Sequence, residues 1–429
     1  MNTTRILLRT TLLAWLIYLL AFPAIAAHQH HAAEKQEANK KDKPLPPLSI
    51  HNAPVVSSTY AKDGRLWLAW VHGAHVYVNH SDDDGKHFSP PVKVNAVAEK
   101  IAARHESRPK IAIANNGNIY IAYTQKLSKR YTGNIRFSRS LDGGQHFSTP
   151  ITVNSDRDII SHRFAAMVVN AKDEIYLSWL DARDATQAKL DNKPYTGSAL
   201  YAAVSTDDGA SFLPNNKIRD NSCQCCRIAM DTDSQGSPVV VWRQIFGKNV
   251  RDHALARLTK STNSNTLRAA SLSRVAVDNW AVDGCPHHGP ALSIADDNVY
   301  HLTWFTDAPV RKGLYYARST DHGLSFDSER HFGANDQQAQ HADVHSFGKD
   351  VFIVWKEFDG AQSTLKLIHS TDGGKNWSAA RSIASATGPT DYPFFLVKPS
   401  FNNKDELRVA WLGKEKGMRF FDIPRANHE

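Results

Sequence analysis

Residues 66–88 read LWLAWVHGAHVYVNHSDDDGKHF, and the fold of the chain can be worked outward from them. The run Leu66 to Trp70 has strand-like patterning and ends on a large aromatic. The turn signal Lys62-Asp63-Gly64 precedes it, with a short apolar stretch before that, so the unit opens with a hairpin. Ser81, Asp83, Gly85 and Phe88 then spell Ser-x-Asp-x-Gly-x-x-aromatic. In such a turn the Asp accepts from the turn's own backbone N–H groups, the Gly takes a φ that other residues resist, and the aromatic plugs the sheet from below. The pattern stabilises a hairpin and does no chemistry.

Both signals recur. Runs ending on Trp70, Tyr123, Trp179, Trp242, Trp304, Trp355 and Trp411 are spaced 53, 56, 63, 62, 51 and 56 residues apart. The box returns at Ser140/Asp142/Gly144/Phe147, Ser205/Asp207/Gly209/Phe212, Ser319/Asp321/Gly323/Phe326 and Ser370/Asp372/Gly374/Trp377; the fourth unit has lost it, and Thr259 to Arg268 stand in its place. A period of about 50 residues with about four strands suits a propeller blade, and radial closure removes the sheet edges an open array would expose. The expected fold is all-β, a seven-bladed β-propeller of four-stranded antiparallel blades, with six blades as the alternative. The last unit offers three clear strands, so a strand near Pro46 to Ile50 is expected to complete it.

Residues 1–27 carry Arg5 and Arg9, an apolar run from Leu12 to Ile25, and Ala24-Ile25-Ala26, the form of a cleaved signal peptide. The run is shorter than the roughly 20 apolar residues a membrane span needs. Residues 28–48 are polar and Lys-rich, end in prolines and read as a flexible arm, in which His28, His30 and His31 could scavenge a metal. The propeller then occupies 49–429, and a periplasmic or secreted location is expected. Without Arg5 and Arg9 the formal charge of +8 becomes about +6, spread over a large chain; with the export signal, this argues against a nucleic-acid partner.

The five boxes resemble those of the sialidase and BNR-repeat (Asp-box) propellers, over almost all of residues 50–425. The resemblance implies an arginine cluster for a substrate carboxylate, a Tyr/Glu nucleophilic pair and an Asp acid/base, usually on six blades. This chain departs from it: the first blade reads His51-Asn52-Ala53-Pro54 where an Arg-Ile-Pro would stand, and the repeats count to seven.

Fifteen or sixteen residues before the core aromatic lie Arg108, Arg163, Arg227 and His288, at matching places in blades two to five. Arginines so placed would point at one volume and suit a carboxylate or sulfate, or each would tie down a neighbouring loop. His105, His162 and His341 recur near the same places, with His345 inside the sixth inner strand. Tyr392 stands roughly where a sialidase would place its nucleophile, and needs a carboxylate nearby because its free pKa is near 10. Asp181 and Glu357 are the assisting carboxylates chosen, with Asp184 and Glu106 also in view.

Cys223, Cys225 and Cys226 precede blade four, and Cys285, His287 and His288 precede blade five. Two readings stand open: a pair of disulfides, or a soft-metal site for copper or zinc. Three functions follow: a binder or hydrolase of an anionic glycan, which needs no cofactor; a metal-binding or redox propeller; and a scaffold for protein partners.

Overall fold

The structure is a computed structural model that describes residues 45–261, 266–327, 329–400 and 404–425. The segment read as a signal peptide, 1–27, and nearly all of the segment read as an arm, 28–48, including His28, His30 and His31, lie outside the described residues. Residues 48–429 form one compact unit. Among the described residues no helix is long and apolar enough to cross a membrane.

The described strands form seven antiparallel sheets, spanning 56–93, 110–152, 162–222, 229–274, 291–332, 340–387 and 394–423. Six have four strands and the last has three, each strand paired with the next in sequence. The first strands, Val56–Tyr60, Lys110–Ile113, His162–Val169, Ala229–Thr232, Ala291–Ile294, Gln340–Phe347 and Phe394–Lys398, pack side by side in that order, and the last returns to the first. The fold is therefore a closed seven-bladed β-propeller. The aromatics on the second strands, Trp70 through Trp411, are at most 2% exposed.

The expected closing strand at Pro46 to Ile50 does not form. Ser49 instead caps a single 3-10 turn, Ile50–Asn52. Ile50 and Ala53 bury against Leu412, Met418 and Phe420 of blade seven. A proline-rich segment has too few N–H donors for a ladder, so it seals the ring by side-chain packing. Polar ties join the same seam: Arg408 Nη1 donates to Tyr60 Oη at 2.6 Å, and Lys398 Nζ lies 2.8 Å from Asp84 Oδ2.

The boxes also do more than stabilise their own turns. In each, the Ser Oγ donates to the Asp (2.7–2.8 Å) and accepts from the Gly N–H (2.8–2.9 Å). The Gly, at φ between 76 and 90°, then lies flat against the preceding blade. A β-carbon on Gly144 would stand 2.6 Å from Trp67, one on Gly209 2.5 Å from Phe137, and one on Gly323 2.6 Å from Leu255. Gly374 meets Tyr316 in the same way, and Gly85 meets Phe420 at 2.8 Å, across the closing seam. In blade four, strands His253–Lys260 and Leu267–Arg274 pair along their length where the box is missing.

Gly64 and Gly85 share a left-handed backbone (φ 85 and 90°), but only Gly85 touches another blade, at the closing seam. Gly64→Ala should cost the ~1–2 kcal/mol of a left-handed alanine. Gly85→Ala should cost that plus about 1–3 kcal/mol of overpacking. Equal losses in denaturant unfolding would show that the seam contact contributes nothing.

Candidate functional site

All seven blades meet at one pocket of about 280 Å³ on the ring axis. Ser57 and Ser58 come from blade one, Arg108 and Lys110 from blade two, Met167 from blade three, Arg227 from blade four, Leu292 from blade five, Asp343 from blade six, and Tyr392 and Phe394 from blade seven. The convergence follows from closure, since first strands packed side by side must aim their leading residues at a common axis.

Arg108, Glu106 and Arg227 are each tied to other blades. The turn His105–Ser107 leads into Arg108 in extended backbone. Arg108 Nη2 donates to Asp391 Oδ2 at 2.7 Å and Nη1 to Val56 O at 3.0 Å. Glu106 Oε2 accepts from the Arg227 backbone N–H at 2.8 Å, tying blade two to blade four. Arg227 Nε donates to Pro290 O at 3.2 Å and Nη2 to Ala342 O at 3.1 Å. The Tyr392 ring lies 3.9 Å from the Arg108 guanidinium carbon and 4.6 Å from that of Arg227, and stacks on His341 at 5.3 Å. His341 lies tilted against His288, their centroids 4.8 Å apart, and His288 stacks on Phe305.

Burial sets the titration. Tyr392 is pushed up to about 12 by burial, against the pull of Arg108, and His288 is pushed down to about 3 by burial and then Arg243. Asp343 is raised by burial. Lys110 is pulled down to about 7, first by burial, then by Arg108 and Arg227, with Glu106 and Asp391 acting the other way. Among the described residues, buried Glu106 Oε1 and Ser58 Oγ have no hydrogen-bond partner. Glu106 Oε1 lies 3.6 Å from His341 Nδ1.

The sequence-derived set is only partly united here. Arg108, Arg227, Tyr392 and His341 come together. Arg163 does not join them: its strand is eight residues long, Phe164 takes φ 60°, and the pairing with the second strand slips between Ser178 and Leu180. Arg163 packs on Phe164 and Tyr131 and acts electrostatically on Cys225 and Cys285. His162 is fully buried, with Nδ1 donating to Gly133 O at 2.9 Å and Nε2 3.7 Å from Asp181. His105 opens the turn before Arg108, and its side chain lies outside the described residues. His345, buried in the sixth inner strand, packs on Phe347 and is pulled down to about 4 by burial.

Asp181 and Glu357 are not partners of Tyr392. Each accepts the indole N–H of the tryptophan two residues earlier, Trp179 to Asp181 at 2.8 Å and Trp355 to Glu357 at 2.9 Å, and Gln244 does the same for Trp242. A buried indole needs an acceptor, and these side chains supply it. Arg183 also pairs with Asp181 at 2.8 Å, and Asp184 accepts from Tyr201 Oη at 2.9 Å. The carboxylates that do act on Tyr392 are Glu106 and Asp391. Lys110 and Asp391 escaped the sequence reading, although both flank residues it chose: Lys110 lies two positions beyond Arg108, and Asp391 precedes Tyr392.

The four cysteines are brought together as free thiols. Cys223 Sγ and Cys225 Sγ lie 3.7 Å apart, Arg251 Nη1 donates to Cys223 Sγ at 3.1 Å, and His287 Nδ1 donates to Cys225 O at 3.0 Å. Hydrogen bonds from its neighbours push Cys223 down, and the same contacts push Cys225 up. A wider hollow of about 620 Å³ lies between blades five and six at their boxes, lined by Arg318, Asp327, Arg330 and Lys375. Only two blades build it, and it is remote from the axis.

No protein-family model and no curated protein matches the sequence. Solved structures do match. A polysaccharide lyase of family PL25, an ulvan lyase, superposes with a TM-score of 0.51 at 10% identity, covering 86% of this chain and 91% of that one. The polysaccharide lyase Uly1 gives 0.51 at 10%, covering 90% and 92%. The Hadza microbial sialidase Hz136 gives 0.46 at 13%, covering 83% and 76%. At 10% identity, the two lyase matches with TM-scores of 0.51 bear on the fold alone.

Lys110 gives the site a pH signature. Below pH about 7 the amine is protonated folded and unfolded, and burying its charge costs stability. Between about 7 and 10.5 only the unfolded chain keeps the proton, so stability rises with pH across that window. Lys110→Met should therefore melt higher than the parent at pH 6.5 and converge with it towards pH 10. A gap that stays constant with pH would contradict the assignment.

Proposed function

We propose that the axial pocket takes the carboxylated residue of an anionic glycan, and that the protein is a glycan-active propeller acting outside the cytoplasm. The observation that carries this is the convergence of three cationic side chains and a tyrosine on one pocket to which all seven blades contribute. Arg108 and Arg227 are already tied to protein acceptors, so they supply fixed positive field rather than free forks. Lys110 is the cation left to meet a carboxylate. The pocket volume suits one or two sugar rings, below the usual range for drug-sized ligands. Two matched structures at TM-score 0.51 are polysaccharide lyases, which supports a carbohydrate partner, and the leader sequence supports periplasmic or secreted placement.

For bond cleavage the acting group is Tyr392. The phenol lies among Arg108, Arg227 and Glu106, which favour and oppose its ionisation respectively. A cation-flanked tyrosine can give or take a proton at a sugar carbon or attack an anomeric carbon. Release of an unsaturated uronate, read by ultraviolet absorbance, marks elimination; release from a fluorogenic sialoside marks hydrolysis.

Calorimetry against uronate polysaccharides and sialosides, with neutral analogues beside them, tests the binding. Affinity for the carboxylated ligand should fall at least about tenfold, about 1.4 kcal/mol, between pH 6 and 8.5, as Lys110 loses its proton. In Lys110→Met binding should be weak at both pH values. Equal binding of neutral and carboxylated glycans would overturn the reading. Tyr392→Phe should leave affinity within about threefold and, where the parent turns over, abolish turnover.

A further inference from the structure

Cys223, Cys225 and Cys226 place their sulfurs within 4.8 Å of one another, and Cys225, Cys285 and His287 place one ligand atom each within the same limit. Cys225 belongs to both groups. The first trio is buried, at 1, 5 and 2% exposure, whereas Cys285 and His287 are exposed. We infer that these two loops form a copper(I)–thiolate site in which Cys225 bridges an inner, all-sulfur position and an outer position made with Cys285 and His287.

Three features favour copper(I). Soft thiolates select copper(I), zinc or iron–sulfur clusters over hard cations. A structural zinc site is closed by four ligands in a tetrahedron, whereas each group here offers three. Copper(I) is satisfied by three, and a thiolate shared between the two positions suits a monovalent ion. Charge points the same way, because several thiolates around monovalent ions leave net negative charge. Arg251 meets it directly, donating to Cys223 Sγ at 3.1 Å, and Arg163 acts on Cys225 and Cys285. This gives Arg163, which does not reach the axial pocket, a role beside the metal.

The imidazole is also set for the task. His287 Nδ1 donates to Cys225 O at 3.0 Å, which in the neutral ring leaves the lone pair on Nε2. His287 holds this place at φ 55°, a left-handed backbone that a β-carbon resists. The loop before blade five is thereby held to the loop before blade four. Arg227 follows Cys226 directly, and Gly289 closes against the Arg227 side chain. Metal would thus staple the two loops that carry Arg227 towards the axis. The assignment stands on the cysteine geometry and is independent of what the axial pocket binds.

Anaerobic titration of the reduced full chain with copper(I), in competition with bathocuproine disulfonate, tests it. The parent should retain one to two copper ions per chain against the chelator, with X-ray absorption showing sulfur-dominated coordination. Cys225→Ser should retain none, and the exposed-position double variant Cys285→Ser/His287→Ala should lose only the outer ion. Circular dichroism and cooperative unfolding check that each variant is folded; should Cys225→Ser not fold, the double variant decides alone. Unchanged copper in the double variant would overturn the two-position site. So would thiol titration showing two disulfides after copper is supplied, or zinc displacing copper at equal concentration.

Discussion

Seven inner strands can share one axis only if neighbouring sheets approach closely at their outer ends, and at five of the seven seams a box glycine sets that approach. Each lies against a large side chain of the blade before it, where even a methyl group would collide. The Ser and Asp of the box fix the turn so that the glycine is presented flat, and the glycine's missing β-carbon becomes a packing surface. Gly85 applies the same device to the closing seam, where it meets Phe420. Closure therefore rests on side-chain contact, helped by Ile50, Ala53 and the Tyr60–Arg408 bond, without a strand lent by the N-terminal segment.

The axial pocket inherits its chemistry from that closure. Leading residues of strands far apart in sequence are forced together, and two arginines with like charge survive there because each is bonded to carbonyl or carboxylate oxygens of other blades. Tyr392 fills the space between them, its ring packed against both guanidinium groups. Lys110 shares this buried, cationic space, and its proton affinity drops through burial first and then through Arg108 and Arg227. A ligand carboxylate would relieve the same imbalance.

The repeats were legible in the sequence because a blade is local: a hairpin, a turn and a box lie within about 50 residues and carry their own periodicity. The inner positions of Arg108 and Arg227 followed from aligning the units on their core aromatics, and that of Tyr392 from the resemblance to sialidases. That alignment failed for Arg163, because a bulge and a left-handed residue at Phe164 shift the strand. Counting along a sequence cannot register such a slip. The roles given to Asp181 and Glu357 failed for another reason, since an acidic residue two positions after a buried tryptophan serves as the indole's acceptor. That pattern recurs at Gln244, and the recurrence was the signal that could have marked these residues as structural.

The central claim is that one pocket at the ring axis, charged by Arg108, Lys110 and Arg227, recognises a sugar carboxylate. A crystal of the protein soaked with a uronic acid oligosaccharide at pH 6 measures it most directly. The account predicts a sugar ring in the axial pocket with its carboxylate on Lys110 and beside Tyr392. An empty axis with the sugar bound elsewhere, such as the hollow between blades five and six, would contradict it.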